Sequence, residues 1–401
     1  MRQRRTTVKI KYAHLSHTAE ESREAAGGFN IERAQNARRF HSTFPEYAPT
    51  PLVSLPDLAK ITGVESIHVK DESKRFGLNA FKVLGGSYSI GRYIGNALGI
   101  PADRLTYDEI TSKEAFAKTG RLTFVTATDG NHGRGVAWTA NRLGHGSVVY
   151  MPKGSSEERL ENIRREGAEA WITDMNYDDA VRFANSQAEK NGWVMVQDTA
   201  WEGYEDIPRW IMEGYMTMAL EAYEQLAGEE PTHIFLQAGV GAFAGSAAGF
   251  FTSALSGKPV ITVVEPDRAD CIYRTAAAND GKLHTVTGDM DSMMAGLCCG
   301  EPCTIGWRVL AGCADHFISM PDDIAAFGMR ILGNPAGSDM RVISGESGAA
   351  GLGFAAAILM DDDVKDLRER IGLDRNSRIL CVSTEGDTDR ENYRRVVWGS
   401  I

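Results

Sequence analysis

Short apolar runs alternate with amphipathic helical patterns along most of the 401 residues, and this alternation leaves few folds open. Neighbouring parallel strands need a long crossover between them, and helices both supply it and cover the sheet, so the pattern predicts an α/β fold with a largely parallel sheet. Residues 121–128 (RLTFVTAT) read as a strand, followed by a helix through Trp138 and Leu143. Residues 147–151 (SVVYM) are the next strand. Ser155-x-x-Glu158 has the form of a capping box opening a helix through Leu160 and Ile163, with Gly167 as its stop. A strand over 168–173, a helix over 177–189 and a strand over 193–197 repeat the unit. A long amphipathic helix over 208–226 follows, and the pattern restarts with Ile234-Phe235-Leu236, a glycine-rich helix, a strand over 260–264 and a last strand over 378–382. Two such series suggest a smaller α/β domain, residues 85–200, inserted into a large domain built from 1–84 and 201–401.

Composition removes several function classes. Lys and Arg number 43 against 54 Asp and Glu, a net charge of −11, which disfavours a protein that grips nucleic acid by neutralising phosphates. The six cysteines all lie in the C-terminal third. Only Cys299-x₃-Cys303 approaches a metal-ligand spacing, so buried thiols are expected and no metal site, although a local pairing of Cys271 with Cys298 or Cys299 stays open. The basic start, Met-Arg-Gln-Arg-Arg, has no apolar stretch behind it, so the expectation is a cytoplasmic protein without a secretory signal. Residues 238–256 carry no charge, and Gly241, Gly245 and Gly249 repeat the spacing of packed membrane helices. Their Gly, Ala and Ser transfer weakly into lipid, however, and a small-residue helix held close against a buried sheet explains the spacing without a membrane.

Four glycine-marked polar segments sit at strand ends, where open α/β sheets bind ligands. They are Asn79 to Ser87 (NAFKVLGGS), Thr128 to Gly133 (TDGNHG), Gln237 to Ala242 (QAGVGA) and Ser383 to Asp387 (STEGD). Gly239-x-Gly241-x-x-Ala244, with Glu265 ending the next strand, matches a dinucleotide fingerprint and keeps a nicotinamide-dependent oxidoreductase open. The same loop serves a single phosphate equally well, since backbone N–H groups at a helix N-terminus bind a dianion without a basic side chain. Lys82 stands among Phe81, Val83 and Leu84 with two glycines behind it. Alone it reads as a surface lysine whose stem lies along apolar neighbours; beside a phosphate loop it reads as an amine whose pKa is lowered by desolvation. A lysine that can form an imine, a phosphate cup and a hydroxyl for a pyridine nitrogen are the parts that pyridoxal phosphate needs.

These residues, in this order, resemble the fold-type II pyridoxal-phosphate enzymes, which include threonine dehydratase and tryptophan synthase β. The resemblance runs through Thr50-Pro51-Leu52, Lys70-Asp71-Glu72, Phe81-Lys82, Asn131-His132-Gly133, the glycine loop, Val264-Glu265-Pro266 and Ser383-Thr384. It implies two-lobed open twisted sheets and a pyridoxal 5′-phosphate cofactor. Lys82 would bond the cofactor, Asn131 would meet its 3′-oxygen, Gly239, Val240, Gly241, Ala242 and Phe243 would cradle the phosphate, and Ser383 or Thr384 would meet the ring nitrogen. Within the family, residues 127–138, 196–204 and 383–389 resemble the diaminopropionate ammonia-lyases. That resemblance implies α,β-elimination of 2,3-diaminopropionate to pyruvate and two ammonia, with serine or threonine dehydration as the alternative on the same fold; a base on each face of the ring, Lys82 and Asp129, would let both enantiomers react. Lys82 and Asp129 are then the candidate acid–base groups, Asp198 a carboxylate for the second ammonium, the partner a small amino acid, and the assembly a homodimer.

Overall fold

A computed structural model describes residues 10–128 and 130–399. The chain lays down β1 (Lys11–His14), β2 (Leu52–Ser54) and β3 (Ser66–Asp71), then builds a separate sheet from β4 (Thr123–Ala127), β5 (Gly146–Met151), β6 (Glu169–Ile172) and β7 (Val194–Met195). It returns to the first sheet with β8 (His233–Gln237), β9 (Val260–Pro266), β10 (His316–Met320) and β11 (Arg378–Ser383). The large sheet runs β1-β10-β9-β8-β11-β3-β2 and the small one β6-β5-β4-β7. All pairings are parallel except the two outermost of the large sheet, where β1 lies antiparallel to β10 and β2 to β3. This order puts β8 beside β11, with Cys381 opposite Phe235, so the loops leaving their carboxyl ends emerge side by side. The small sheet does the same with β4 and β7.

Three local expectations are corrected. The helix after β5 starts at Glu157 with Ser156 at its cap, and no side chain caps it. Ser155 instead donates to Pro152 O at 2.8 Å, which closes a turn and takes its hydroxyl out of any capping box. The strand expected over 193–197 shortens to β7, because the Tyr204 hydroxyl accepts from Gln197 N at 2.8 Å where the ladder would continue. The glycine-rich helix, Ala242–Ala254, makes its closest approach to another helix, Thr304–Cys313, and not to the sheet. A Cβ on Gly245 would fall 2.8 Å from Gly306 O, and one on Gly306 2.7 Å from Gly241 O. The small-residue spacing thus packs two helix backbones against each other in the core. Among the described residues no helix is long and apolar enough to cross a membrane.

A buried ion network ties the N-terminal strands to the helix Asp206–Gln225. Lys70 and Arg75, both without exposure, meet Glu221 at 2.8 and 2.7 Å, and Arg75 also pairs with Glu72 at 2.8 Å. Thr50 O accepts from Lys70 at 2.7 Å. Two cations balance two carboxylates, so the network is tolerable in a low-dielectric interior, and removing one partner costs about 3–5 kcal/mol. Lys70-Asp71-Glu72 is therefore a motif that holds the fold together behind the ligand site.

Candidate active site

The four glycine-marked segments converge on one cavity. Its wall includes Lys82, Asn131, Asp198, the run from Gly239 to Phe243, and Thr384. Backbone bonds set the lysine. Phe81 N donates to Thr384 O at 3.1 Å and Gly386 N to Asn79 O at 2.9 Å, so the stretch before Lys82 is laced to the segment after β11. Asn79 absorbs the bend at φ +62°, and the helix Val83–Leu98 begins directly after Lys82. The Phe81 ring lies 4.7 Å from Tyr215 and 5.0 Å from Phe243, which makes the neighbouring wall aromatic.

Lys82 Nζ donates to Asp198 Oδ2 at 2.6 Å. Asp198 is 3% exposed, and its Oδ1 faces the Tyr177 hydroxyl at 3.4 Å. Burial pushes the Asp198 carboxyl up, but the Lys82 ammonium, His132 and the Lys82 hydrogen bond outweigh it and bring the pKa down to about 2. Asp198 is thus a fixed negative charge and not a helix cap. Of the aromatic and acidic residues near it in sequence, Glu202 is exposed, while Trp201 and Tyr204 stack on each other at 4.3 Å.

The glycine loop has the shape of an anion cradle. Gly241 takes φ +90° as the residue capping the helix Ala242–Ala254, and no side chain caps that helix. Its first N–H groups are left for a ligand, and the helix dipole adds to their pull on an anion. A Cβ on Gly239 would fall 3.1 Å from Cys299 Sγ, so backbone here is packed where side chains cannot go. Glu265, the acidic residue of the dinucleotide reading, lies elsewhere. It is fully buried and accepts from Ile272 N at 2.9 Å and Tyr273 N at 2.6 Å, capping the helix Cys271–Ala278. Burial holds its pKa well above the usual carboxylate range. With both oxygens committed to a helix end it offers nothing to a ribose, and the nicotinamide reading loses its second element.

At the end of β11 the two hydroxyls part. Ser383 Oγ donates to Ser344 Oγ at 2.8 Å, whereas Thr384 lines the cavity and its Oγ1 accepts from Gln237 Nε2 at 3.0 Å. Asn131, the first residue of the helix Asn131–Arg142, donates to the Glu385 carboxylate. Asp129 lies outside the described residues. None of the six cysteines is in a disulfide, so neither Cys298 nor Cys299 is bonded to Cys271. Sequence reasoning passed over Tyr177, Tyr215, Gln237, Ser347 and Glu385, all of which line the cavity. Gln237 and Glu385 stood inside the quoted segments and only lacked a role; Tyr177 and Tyr215 look like ordinary helix-face aromatics.

The cavity fits a phosphate-bearing ring aldehyde. It joins a cradle without basic side chains, an amine held by a buried carboxylate, and a threonine hydroxyl across from them. It also keeps a buried Tyr215 hydroxyl without a partner among the described residues, as a site waiting for a ligand does. Residues 43–385 match the family model described as pyridoxal-phosphate dependent enzyme. The fold and cavity are accordingly those of a pyridoxal-phosphate enzyme. The diaminopropionate ammonia-lyase of Escherichia coli K12 is 51% identical over 373 residues, 92% of each chain. Crystal structures of the Escherichia coli enzyme superpose over 98% of this chain and 97% of theirs, at 47% identity. One is a complex with D-serine (TM-score 0.89) and one a complex with an aminoacrylate-PLP azomethine reaction intermediate (TM-score 0.87). The chain belongs to the diaminopropionate ammonia-lyase family.

Proposed function

We propose that the protein eliminates the β-nitrogen of 2,3-diaminopropionate as ammonia, that water then hydrolyses the unsaturated product to pyruvate and a second ammonia, and that the protein accepts both enantiomers. The observation that carries this reading is the 2.6 Å contact between Lys82 Nζ and the buried Asp198 carboxylate inside the cavity. The cofactor supplies a conjugated electron sink for the α-carbanion. Lys82 carries the cofactor and, once released, moves the α-proton. The Lys82 ammonium and His132 hold the Asp198 carboxyl below its usual range, which suits an anchor for an ammonium group more than an acid. That suits a substrate with a second ammonium better than one with a β-hydroxyl, which brings no charge to offset a buried carboxylate. Asn131 is assigned to the 3′-oxygen, residues 239–243 to the phosphate and Thr384 to the ring nitrogen, with Asp129 as a second acid–base group.

The bound D-serine in the Escherichia coli relative supports a cavity that admits the D configuration. It also favours serine dehydration as a second, slower reaction. Counting ammonia per pyruvate separates the two, with two expected from the diamine and one from serine. A turnover on serine that exceeds that on either enantiomer of 2,3-diaminopropionate would overturn the main reading. We also propose a cytoplasmic homodimer, on family resemblance alone; light scattering that gives a single-chain mass would end the dimer assignment.

A further inference from the structure

Gln237 closes β8 with 1% exposure, directly beside the end of β11. Its Nε2 lies 3.0 Å from Val382 O and 3.0 Å from Thr384 Oγ1, with Gly348 O at 3.5 Å on the same side. A backbone carbonyl can only accept, so the NH₂ end of the amide must face Val382, and the orientation of the side chain follows from the network. Oε1 has no partner among the described residues and so does not compete for that orientation. The second amide hydrogen then goes to Thr384 Oγ1. A hydroxyl that accepts on one side still has one hydrogen to give, and Thr384 makes no hydrogen bond with it among the described residues.

We propose that Gln237 is a positioning residue that directs the Thr384 hydroxyl hydrogen into the cavity and so keeps the ring nitrogen of the cofactor an unprotonated acceptor. This rests on the placement of that nitrogen at Thr384 given above. A glutamine that could not donate would let Thr384 turn its hydrogen away and offer lone pairs, which favours a protonated ring nitrogen. A protonated ring withdraws electrons more strongly and holds a carbanion longer, so Gln237 biases the site toward fast loss of the β-group.

The test uses holoenzyme loaded with cofactor labelled with ¹⁵N in the ring, whose resonance reports protonation without turnover. The parent should show an unprotonated, hydrogen-bonded nitrogen. Gln237→Glu, which accepts where glutamine donates, should shift the resonance toward that of a pyridinium. Thr384→Ala should shift it as well, and Gln237→Glu added to Thr384→Ala should move it no further. If Thr384→Ala leaves the resonance in place, the nitrogen lies elsewhere and the placement fails. If Thr384→Ala moves it and Gln237→Glu does not, the placement stands and the role of Gln237 is overturned. Should Gln237→Glu lose the cofactor, the near-isosteric Gln237→Met decides: a displaced resonance supports the role, an unchanged one ends it.

Discussion

Lys82 and Asp198 stand 2.6 Å apart, one at the start of a helix packed on the large lobe and the other on the loop that leaves β7 of the small sheet. The pair therefore spans the two sheets as well as joining two charges. Under the proposed function, Asp198 would be left to meet an ammonium group once Lys82 is engaged by the cofactor.

Lys82→Ala should abolish turnover to within assay limits and leave the cofactor bound only through its phosphate and ring contacts. Mass spectrometry of borohydride-treated parent protein should find the pyridoxyl adduct on Lys82. An adduct on Lys70 would be the most damaging result, since Lys70 has no exposure and is saturated by Thr50 O, Glu221 and Gln225.

Asp198→Asn keeps the shape but removes the charge. The loss of a buried, hydrogen-bonded charge partner costs about 2–3 kcal/mol, or ~30–150-fold, in kcat/KM for 2,3-diaminopropionate. Serine, lacking a second ammonium, should lose much less. Steady-state kinetics on both substrates decide this, and equal losses would reduce Asp198 to a support for Lys82.

Gly241→Ala and Gly241→Asp separate strain from charge. A Cβ at φ +90° is costly by about 1–2 kcal/mol and would meet Ile272 Cδ1 at 3.0 Å, so alanine should already lower Tm. Aspartate adds repulsion against the phosphate and should leave far less cofactor after dialysis than alanine does. Equal retention by both variants would move the phosphate away from this loop.

How far the sequence carried depends on the distance between cooperating residues. The parallel sheets and the converging loops were legible because each strand end bears its own glycines, a local signal. The edge strands β1 and β2, four and three residues long, left no periodicity to read. Lys70 and Glu221 are 151 residues apart, so their ion pair has no sequence signature at all. Ser383 and Thr384 could not be separated because the choice turns on one position of strand register, and adjacent side chains point to opposite faces. Only the Ser344 partner reveals that Ser383 is turned away.

Glu346 gives the protein a pH dependence of its own. Burial and the neighbouring Glu385 charge raise its pKa to about 7, against the pull of Arg159, whose guanidinium lies 3.7 Å away. A folded-state pKa above the unfolded value means that the folded chain holds the extra proton. The stabilising contribution is complete below the ordinary carboxylate pKa near ~4.3 and is lost as pH rises through 7. Glu346→Gln should flatten the fall of Tm between about pH 4.5 and 7, the span between the two pKa values, and make the variant the more stable protein at pH 8. A variant that is less stable than the parent at pH 8 would show that the Arg159 pair outweighs burial.

Asp129 bears on stereochemistry. Its sequence neighbours are tied to each other: Gly130 N donates to Thr128 Oγ1 at 2.9 Å. Proton removal is fast only when the bond to the α-hydrogen stands perpendicular to the conjugated plane, so L and D substrates present that hydrogen to opposite faces. As the proposed base, Lys82 would serve the face to which it was bonded, and a carboxylate on the other face would serve the other hand. Asp129→Asn should therefore depress turnover of D-2,3-diaminopropionate by ~10²–10⁴-fold, the usual share of a general base, while the L form loses much less and the visible band of the cofactor is unchanged. Equal losses for both hands would make Asp129 a shared group, and a parent enzyme that turns over only the L form would end the two-face reading.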